Sequence, residues 1–286
     1  MRHHIYSIVF IVAGILACSC GPARKNTKES QFPVIDQGNK IAIVAHRGYW
    51  NCKKAGFSEN SIASLKAAQD AGLWGSECDV QLTADNVVIV NHNNDIEGKL
   101  IREHDFADFE KDLLPNGERR PTIDEYLDQA AKSTKTILVI EFKKQNTPVR
   151  EDLLVEKTLA AMKRHGLYDP RRIAFISFSQ HICEVLAKDC PQFINQYLSS
   201  NKKVDENPSK YASLGINGVD YHYDLFKNHP NWVSLAKKLG MSVNVWTVND
   251  QPTMQEMIDL GVHAITTNEP LQVRKLLKKK EYKIKR

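Results

Sequence analysis

From residue 41 onward, short runs of β-branched and other apolar residues alternate with longer amphipathic segments. The apolar runs fall at 41–46, 75–82, 136–143, 172–177, 192–198, 216–221, 242–247 and 263–267, each of buried-strand length. Between them, 59–71, 122–133, 150–165, 179–189, 206–214, 230–239 and 252–260 have the length and spacing of helices, and 270–277 supplies a last one. Pro121-Thr122, Pro230-Asn231 and Pro252-Thr253 mark helix starts, and Gly72, Gly166, Gly240 and Gly261 mark stops. Eight β–α repeats predict a closed parallel TIM (β/α)8 barrel, a single domain over residues 41–277.

One segment breaks the rhythm. Residues 87–92 follow the second strand through Ala84-Asp85-Asn86, a tight-turn sequence, and read as a hairpin extension. Residues 93–120 lack periodicity, apart from a short helix expected at 103–112. A loop this long inside a compact domain is usually functional.

The barrel places the chemistry, because active sites of this fold sit at the carboxyl ends of the strands. His46 closes the first strand, Glu77 and Asp79 lie late in the second, and His92 ends its extension. Glu141 and Lys143 close the third, and Trp246 the seventh. Residues two apart on a strand share a face. Glu77 and Asp79 therefore point one way with Cys78 on the other, and Glu141 and Lys143 pair likewise. Three inward carboxylates without a cation would repel one another and lose hydration at a cost of roughly several kcal/mol. Hard oxygen donors suit magnesium or calcium better than zinc. His46 and His92 suit proton transfer near neutrality. Arg47 offers a planar cationic fork for phosphate oxygens, and Lys143 a point charge for phosphate or for neutralising Glu141. Trp246 suits the wall of a pocket for glycerol or the leaving alcohol, or core packing, and His222 is placed to do either as well. Asn60 is read as a helix cap or a contact to the metal's water shell. There is no Gly-x-Ser-x-Gly elbow, P-loop or His-Glu-x-x-His motif.

The amino terminus changes the picture of where such an enzyme works. Ile5 to Ala17 is an apolar run of 13 residues, too short to span a bilayer and suited to a signal segment. It runs into Ile15-Leu16-Ala17-Cys18-Ser19-Cys20, which resembles a bacterial lipoprotein signal with Cys18, or Cys20, as the lipidated residue. Residues 1–20 are thus expected to be a signal peptide and 21–40 a tether. The protein would be anchored in the bacterial envelope by lipid, facing the periplasm or the exterior. The other cysteines are expected to be free thiols; Cys183 and Cys190 would stand about 10.5 Å apart along a helix, beyond the ~7 Å of a disulfide.

Charge adds one exclusion. The net formal charge of +5 resides in residues 278–286, which hold six basic groups and one acid. Apart from that tail and Arg2, the body is near neutral, so no basic stripe remains for a nucleic acid to follow. The tail is expected to fray from the last helix.

His46-Arg47-Gly48, Glu59-Asn60-Ser61, Glu77-x-Asp79-Val80-x-Leu82-Thr83, Val90-Asn91-His92, Pro121-Thr122-Ile123-Asp124-Glu125-Tyr126 and Ile140-Glu141-Phe142-Lys143 resemble the glycerophosphodiester phosphodiesterases. Val243-Asn244-Val245-Trp246-Thr247-Val248-Asn249 and Thr266-Thr267-Asn268-Glu269-Pro270 extend the resemblance to residues 40–277. It implies a barrel enzyme that uses one divalent cation to hydrolyse glycerophosphodiesters to glycerol 3-phosphate and an alcohol. His46 and His92 would be the acid–base pair, Glu77, Asp79 and Glu141 the metal ligands, and Arg47 a phosphate contact. Where the family usually reads His-Asp, this chain has His92-Asn93; Asp95 is the acid nearby that could replace the missing carboxylate. Competing readings are a phosphodiesterase of intact phospholipid or glycerophosphoinositol, and a non-catalytic lipoprotein that binds phosphodiesters. The nucleophile, water or a glycerol hydroxyl that forms a cyclic phosphate, is left open.

Overall fold

The structure, a computed structural model, describes residues 41–200 and 205–284. The expected signal peptide, the tether and both lipidation candidates, Cys18 and Cys20, lie outside the described residues.

In chain order the first strands are β1 (Ala42–Ala45), β2 (Gly75–Leu82), β3 (Val88–Val90), β4 (Asp95–Ile96), β5 (Lys99–Leu100) and β6 (Ile137–Phe142). They are followed by β7 (Ile173–Ser177), β8 (Ile194–Ser199), β9 (Gly218–His222), β10 (Ser242–Trp246) and β11 (Ala264–Thr267). The helices are α1 (Ile62–Asp70), α2 (Ile123–Ala131), α3 (Pro148–Arg164), α4 (Gln180–Asp189) and α5 (Pro208–Ser213). Next come α6 (Tyr223–Asn228), α7 (Asn231–Lys238), α8 (Gln251–Leu260) and α9 (Pro270–Ile284). Strands pair in parallel in the order β1-β11-β10-β9-β8-β7-β6-β2, and β2 pairs back onto β1, which closes the barrel. The expected eight-stranded TIM barrel is present.

Alternation along the strands divides the side chains into two shells. Val44, Val139, Ile176, Ile194 and Leu198 fill the interior, with Trp74 and Trp246 packed against them. Cys78, Val80, Ile140 and Phe175 face outward under helices α2, α3 and α4, and Val219, Tyr221, Val243 and Val245 under the others. This is the arrangement that places Glu77 and Asp79 inside and Cys78 outside. Cys52, Cys78, Cys183 and Cys190 are free thiols, as expected.

The caps explain where helices begin. Ser61 and Thr122 each accept a hydrogen bond from the backbone three residues on and complete a capping box. Helix α1 therefore starts at Ile62, three residues after the expected start, because Ser61 is its cap and Asn60 has a left-handed φ of 54°. Strand β3 folds back antiparallel on β2 as the expected hairpin, through Asn86 at φ 63°. The expected helix at 103–112 is instead two 3-10 turns, Ile101–Glu103 and Phe106–Phe109, after the small β4–β5 hairpin. They bury only Ile101 and Phe109, too little apolar surface to sustain a longer helix. Helix α6 was not foreseen, and α9 continues through Ile284, so residues 278–284 of the basic tail prolong the last helix where fraying was expected.

Gly218 shows how tightly the interior is filled: a Cβ there would run into the Ser242 hydroxyl and come within 2.6 Å of Gln196 Cγ. Gly218→Ala is expected to destabilise the protein by about 1–3 kcal/mol through overpacking. Urea denaturation measures this, and an unchanged midpoint would contradict it.

Candidate active site

Strands β2 and β6 run in parallel with Asp79 opposite Glu141. Two residues earlier on β2, Glu77 points into the same space. The three carboxylates are buried, at 2%, 1% and 8% exposure, and each offers an oxygen within 4.8 Å of the others. Their surroundings hold them in place. The left-handed turn at Arg47 (φ 55°) and Gly48 (φ 78°) wraps the backbone around Glu77: Arg47 N donates to its Oε2 at 2.6 Å and Gly48 N to its carbonyl at 2.9 Å. Gly48 is required there, since a Cβ would collide with Ser64 at the start of α1. Asn60 grips Asp79 twice, donating from Nδ2 to Oδ2 at 2.8 Å and accepting from the Asp79 N–H at 3.2 Å. Asn60 is thus not the helix cap, which is Ser61, but a direct partner of one of the three acids.

Electrostatics separates the three acids. Burial, with the charges of Asp79 and Glu141 added, pushes the Glu77 carboxyl well above its usual range. Burial and Asp79 raise Glu141 to about 7 against the pull of Lys143. Burial opposes the Asp79 charge too, but Lys143, His92, Asn60 and Arg47 outweigh it and hold the group low. Lys143 Nζ stands 2.8 Å from Glu141 and 3.3 Å from Asp79. Burial works against its charge, but the two acids keep the ammonium above its usual range. Glu77 Oε1 is buried with no hydrogen-bond partner. Three converging hard oxygens, one of them unpartnered and two on acids driven toward protonation, fit a divalent cation of the magnesium or calcium type.

Both histidines reach the same rim. His46 Nδ1 lies 2.8 Å from Asn268 Oδ1, and burial, with Arg47 beside it, lowers the imidazole to about 4. His92 is half-buried; burial lowers it, against the attraction of Asp79. Its Nδ1 is 3.1 Å from Asn93 Oδ1, so the amide that replaces the family's usual carboxylate makes the contact itself. Asp95 does not stand in: it accepts from Gly98 N inside the β4–β5 hairpin. The loop carrying His92 is tied to the site by Gln81 Nε2, which donates to the carbonyls of Asn91, His92 and Asn93.

Of the remaining expected residues, Arg47 is braced by Glu59 at 2.6 Å, with Nε 3.9 Å from Asp79. Trp246 donates its indole N–H to the Asp220 carbonyl at 3.0 Å and stands edge-on to Phe178 and His222. Asp220 itself was missed. It is fully buried, its Oδ1 has no partner, and burial with Glu141 drives its carboxyl well up, against the bond from Asn244. The alternation Gly218, Asp220, His222 on β9 repeats that of Glu77 and Asp79 on β2, and would have revealed it.

An acid cluster, two imidazoles and two cations at the carboxyl rim of a parallel barrel define a TIM-barrel enzyme with a site for a charged, oxygen-rich substrate. The chain belongs to the glycerophosphoryl diester phosphodiesterase family, whose model matches residues 46–272. A glycerophosphodiester phosphodiesterase from Caldanaerobacter subterraneus is 28% identical over 84% of this chain and 99% of its own. A crystal structure of a glycerophosphodiester phosphodiesterase from Parabacteroides distasonis is 40% identical, with a TM-score of 0.80 over 84% of this chain and 98% of that one. An Oleispira antarctica phosphodiesterase, solved in complex with the product sn-glycerol-3-phosphate, shares the fold at 21% identity and a TM-score of 0.71, over 83% of this chain and 96% of that one. The protein is an enzyme of glycerophosphodiester hydrolysis.

The shift of Glu141 has a consequence for stability. In chelated protein the folded state keeps a proton on Glu141 that the unfolded chain loses between about pH 4.5 and about 7. A carboxyl raised by folding contributes stability below its unfolded pKa and loses it as pH rises through its folded one. Glu141→Gln mimics the protonated form. Its advantage in unfolding free energy over the wild type, measured by urea denaturation, is therefore expected to grow across that window, by on the order of 3 kcal/mol in total. A difference independent of pH would contradict the assignment.

Proposed function

We propose that the protein is a metal-dependent hydrolase of soluble glycerophosphodiesters, releasing glycerol 3-phosphate and an alcohol by acid–base catalysis between His46 and His92. The observation that carries this reading is the convergence of three buried carboxylates with two imidazoles on one rim. Glu77, Asp79 and Glu141 would hold one magnesium or calcium ion. When bound, that ion supplies charge stabilisation at the phosphoryl oxygens. Arg47 and Lys143 add fixed positive charge for the phosphate, and Glu59 braces the guanidinium. One imidazole takes the proton of the attacking oxygen, and the other returns a proton to the alkoxide as the phosphorus–oxygen bond to the alcohol breaks. Trp246 walls the pocket for the glycerol carbons or the leaving alcohol.

A soluble diester is favoured over intact phospholipid by the loop after β1. Between residues 49 and 58 the large apolar side chain left exposed is Phe57, beside Lys53 and Lys54, which is little surface for entering a bilayer. A lipid anchor on Cys18 or Cys20 would hold the enzyme at the envelope membrane, where the degradation of lipids releases such diesters.

Release of glycerol 3-phosphate from glycerophosphocholine is expected to stop with chelator and to return with magnesium or calcium. His46→Ala and His92→Ala should each lower kcat by about 10²–10⁴-fold. Full turnover in chelator, or faster turnover of phosphatidylcholine vesicles, would overturn the reading. For the anchor, Cys18→Ser is expected to abolish labelling by radioactive palmitate in cells; persistent labelling moves the lipid to Cys20, and no labelling of the wild type refutes it.

A further inference from the structure

Asn268 follows β11, and its backbone position is set by the turn after β10. Asn249 Oδ1 accepts from Asn268 N at 2.9 Å and from Thr267 Oγ1 at 3.2 Å. From this fixed point the side-chain oxygen meets two nitrogens, His46 Nδ1 at 2.8 Å and Trp50 Nε1 at 3.2 Å. An indole nitrogen can only donate. The amide atom that both nitrogens share must therefore be the carbonyl oxygen, since an amide NH2 would set donor against donor at Trp50. Trp50 thus reads out the orientation of the amide, which geometry alone leaves open between two flips.

The consequence passes to His46. A carbonyl oxygen only accepts, so Nδ1 of His46 must carry the proton in this bond. In a neutral imidazole the other nitrogen, Nε2, is then bare. Burial keeps the ring neutral, as its pKa near 4 states. His92 has no such arrangement: Asn93 meets its Nδ1 at 3.1 Å, and among the described residues no donor-only group meets that amide to fix its flip.

We infer that Asn268, oriented by Trp50, is a positioning residue that locks His46 in the Nδ1–H tautomer and so makes Nε2 the proton acceptor of the reaction. This rests on the reading of His46 as a proton carrier. The attacking hydroxyl or water gives its proton to His46 Nε2 as its oxygen bonds phosphorus, while the phosphorus–oxygen bond to the leaving alcohol breaks and that alkoxide takes a proton from His92. The imidazolium keeps its Nδ1–H···Oδ1 bond to Asn268, and Nε2 later gives the proton up to solvent. The amide oxygen is an acceptor in both states, so nothing reorganises as the charge appears.

Long-range 1H–15N NMR of the full-length protein with ring-labelled histidine tests this, with His46→Gln used to assign the signal. The wild type is expected to show His46 protonated at Nδ1 and bare at Nε2. Asn268→Leu should release the ring to both tautomers and lower kcat about 10- to 100-fold with KM little changed. Asn268→Asp, which restores an acceptor, should recover the Nδ1–H signal and most of the rate. Trp50→Phe removes the group that orients the amide and should loosen the same signal, which keeps the test open if the leucine variant fails to fold. A wild-type ring protonated at Nε2, or a folded Asn268→Leu protein with unchanged tautomer and kcat, overturns the inference alone. Full turnover by His46→Gln overturns the catalytic reading beneath it.

Discussion

The mutual repulsion of three carboxylates buried within 4.8 Å of one another is the constraint around which this barrel is organised. Like charges taken out of water at that spacing cannot all stay ionised without compensation. The protein answers with fixed partners on every side: the Arg47 N–H on Glu77, the Asn60 amide on Asp79, and the Lys143 ammonium between Asp79 and Glu141. What those partners leave over, protons driven onto Glu77 and Glu141 and one unpartnered oxygen, is a set of donors that a divalent cation would satisfy.

The same logic of fixed partners runs through the rest of the rim. Each imidazole has an asparagine oxygen at its Nδ1, from Asn268 for His46 and Asn93 for His92. An amide orients a ring without lending it a full negative charge, and the small rise in basicity its hydrogen bond gives each imidazole is outweighed by burial. His46, buried beside Arg47, is accordingly neutral and ready to accept a proton. The positive-φ turn at Arg47-Gly48 serves two ends at once, delivering an N–H to Glu77 and presenting the guanidinium to Glu59 and Asp79. Strained backbone of this sort persists where packing over-determines it, here through the approach of Ser64 to Gly48.

Much of this was legible in the residues alone, for identifiable reasons. The barrel followed from eight apolar runs, because buried parallel strands leave a continuous hydrophobic signature. Glu77, Asp79 and Glu141 stood out because acids break that signature at positions two apart. The contacts of Asn60, Asn268 and Trp50 were not foreseen: neutral side chains in loops give no periodic signal, and their partners lie 19, 222 and 218 residues away in sequence. Asp220 was hidden among apolar neighbours on β9, although its alternation could have been read. The 3-10 turns of the insertion and the left-handed Asn60 depend on tertiary context, which local propensity does not contain.

The acid cluster is expected to take up one cation and to surrender protons in doing so. Calorimetric titration of chelated protein with magnesium or calcium at pH 6, in two buffers of different ionisation enthalpy, measures both at once. One ion bound per chain, with net proton release at pH 6 whose Glu141 share fades as pH rises past about 7, is the predicted result. Absence of binding, or binding that releases no protons at pH 6, would contradict it.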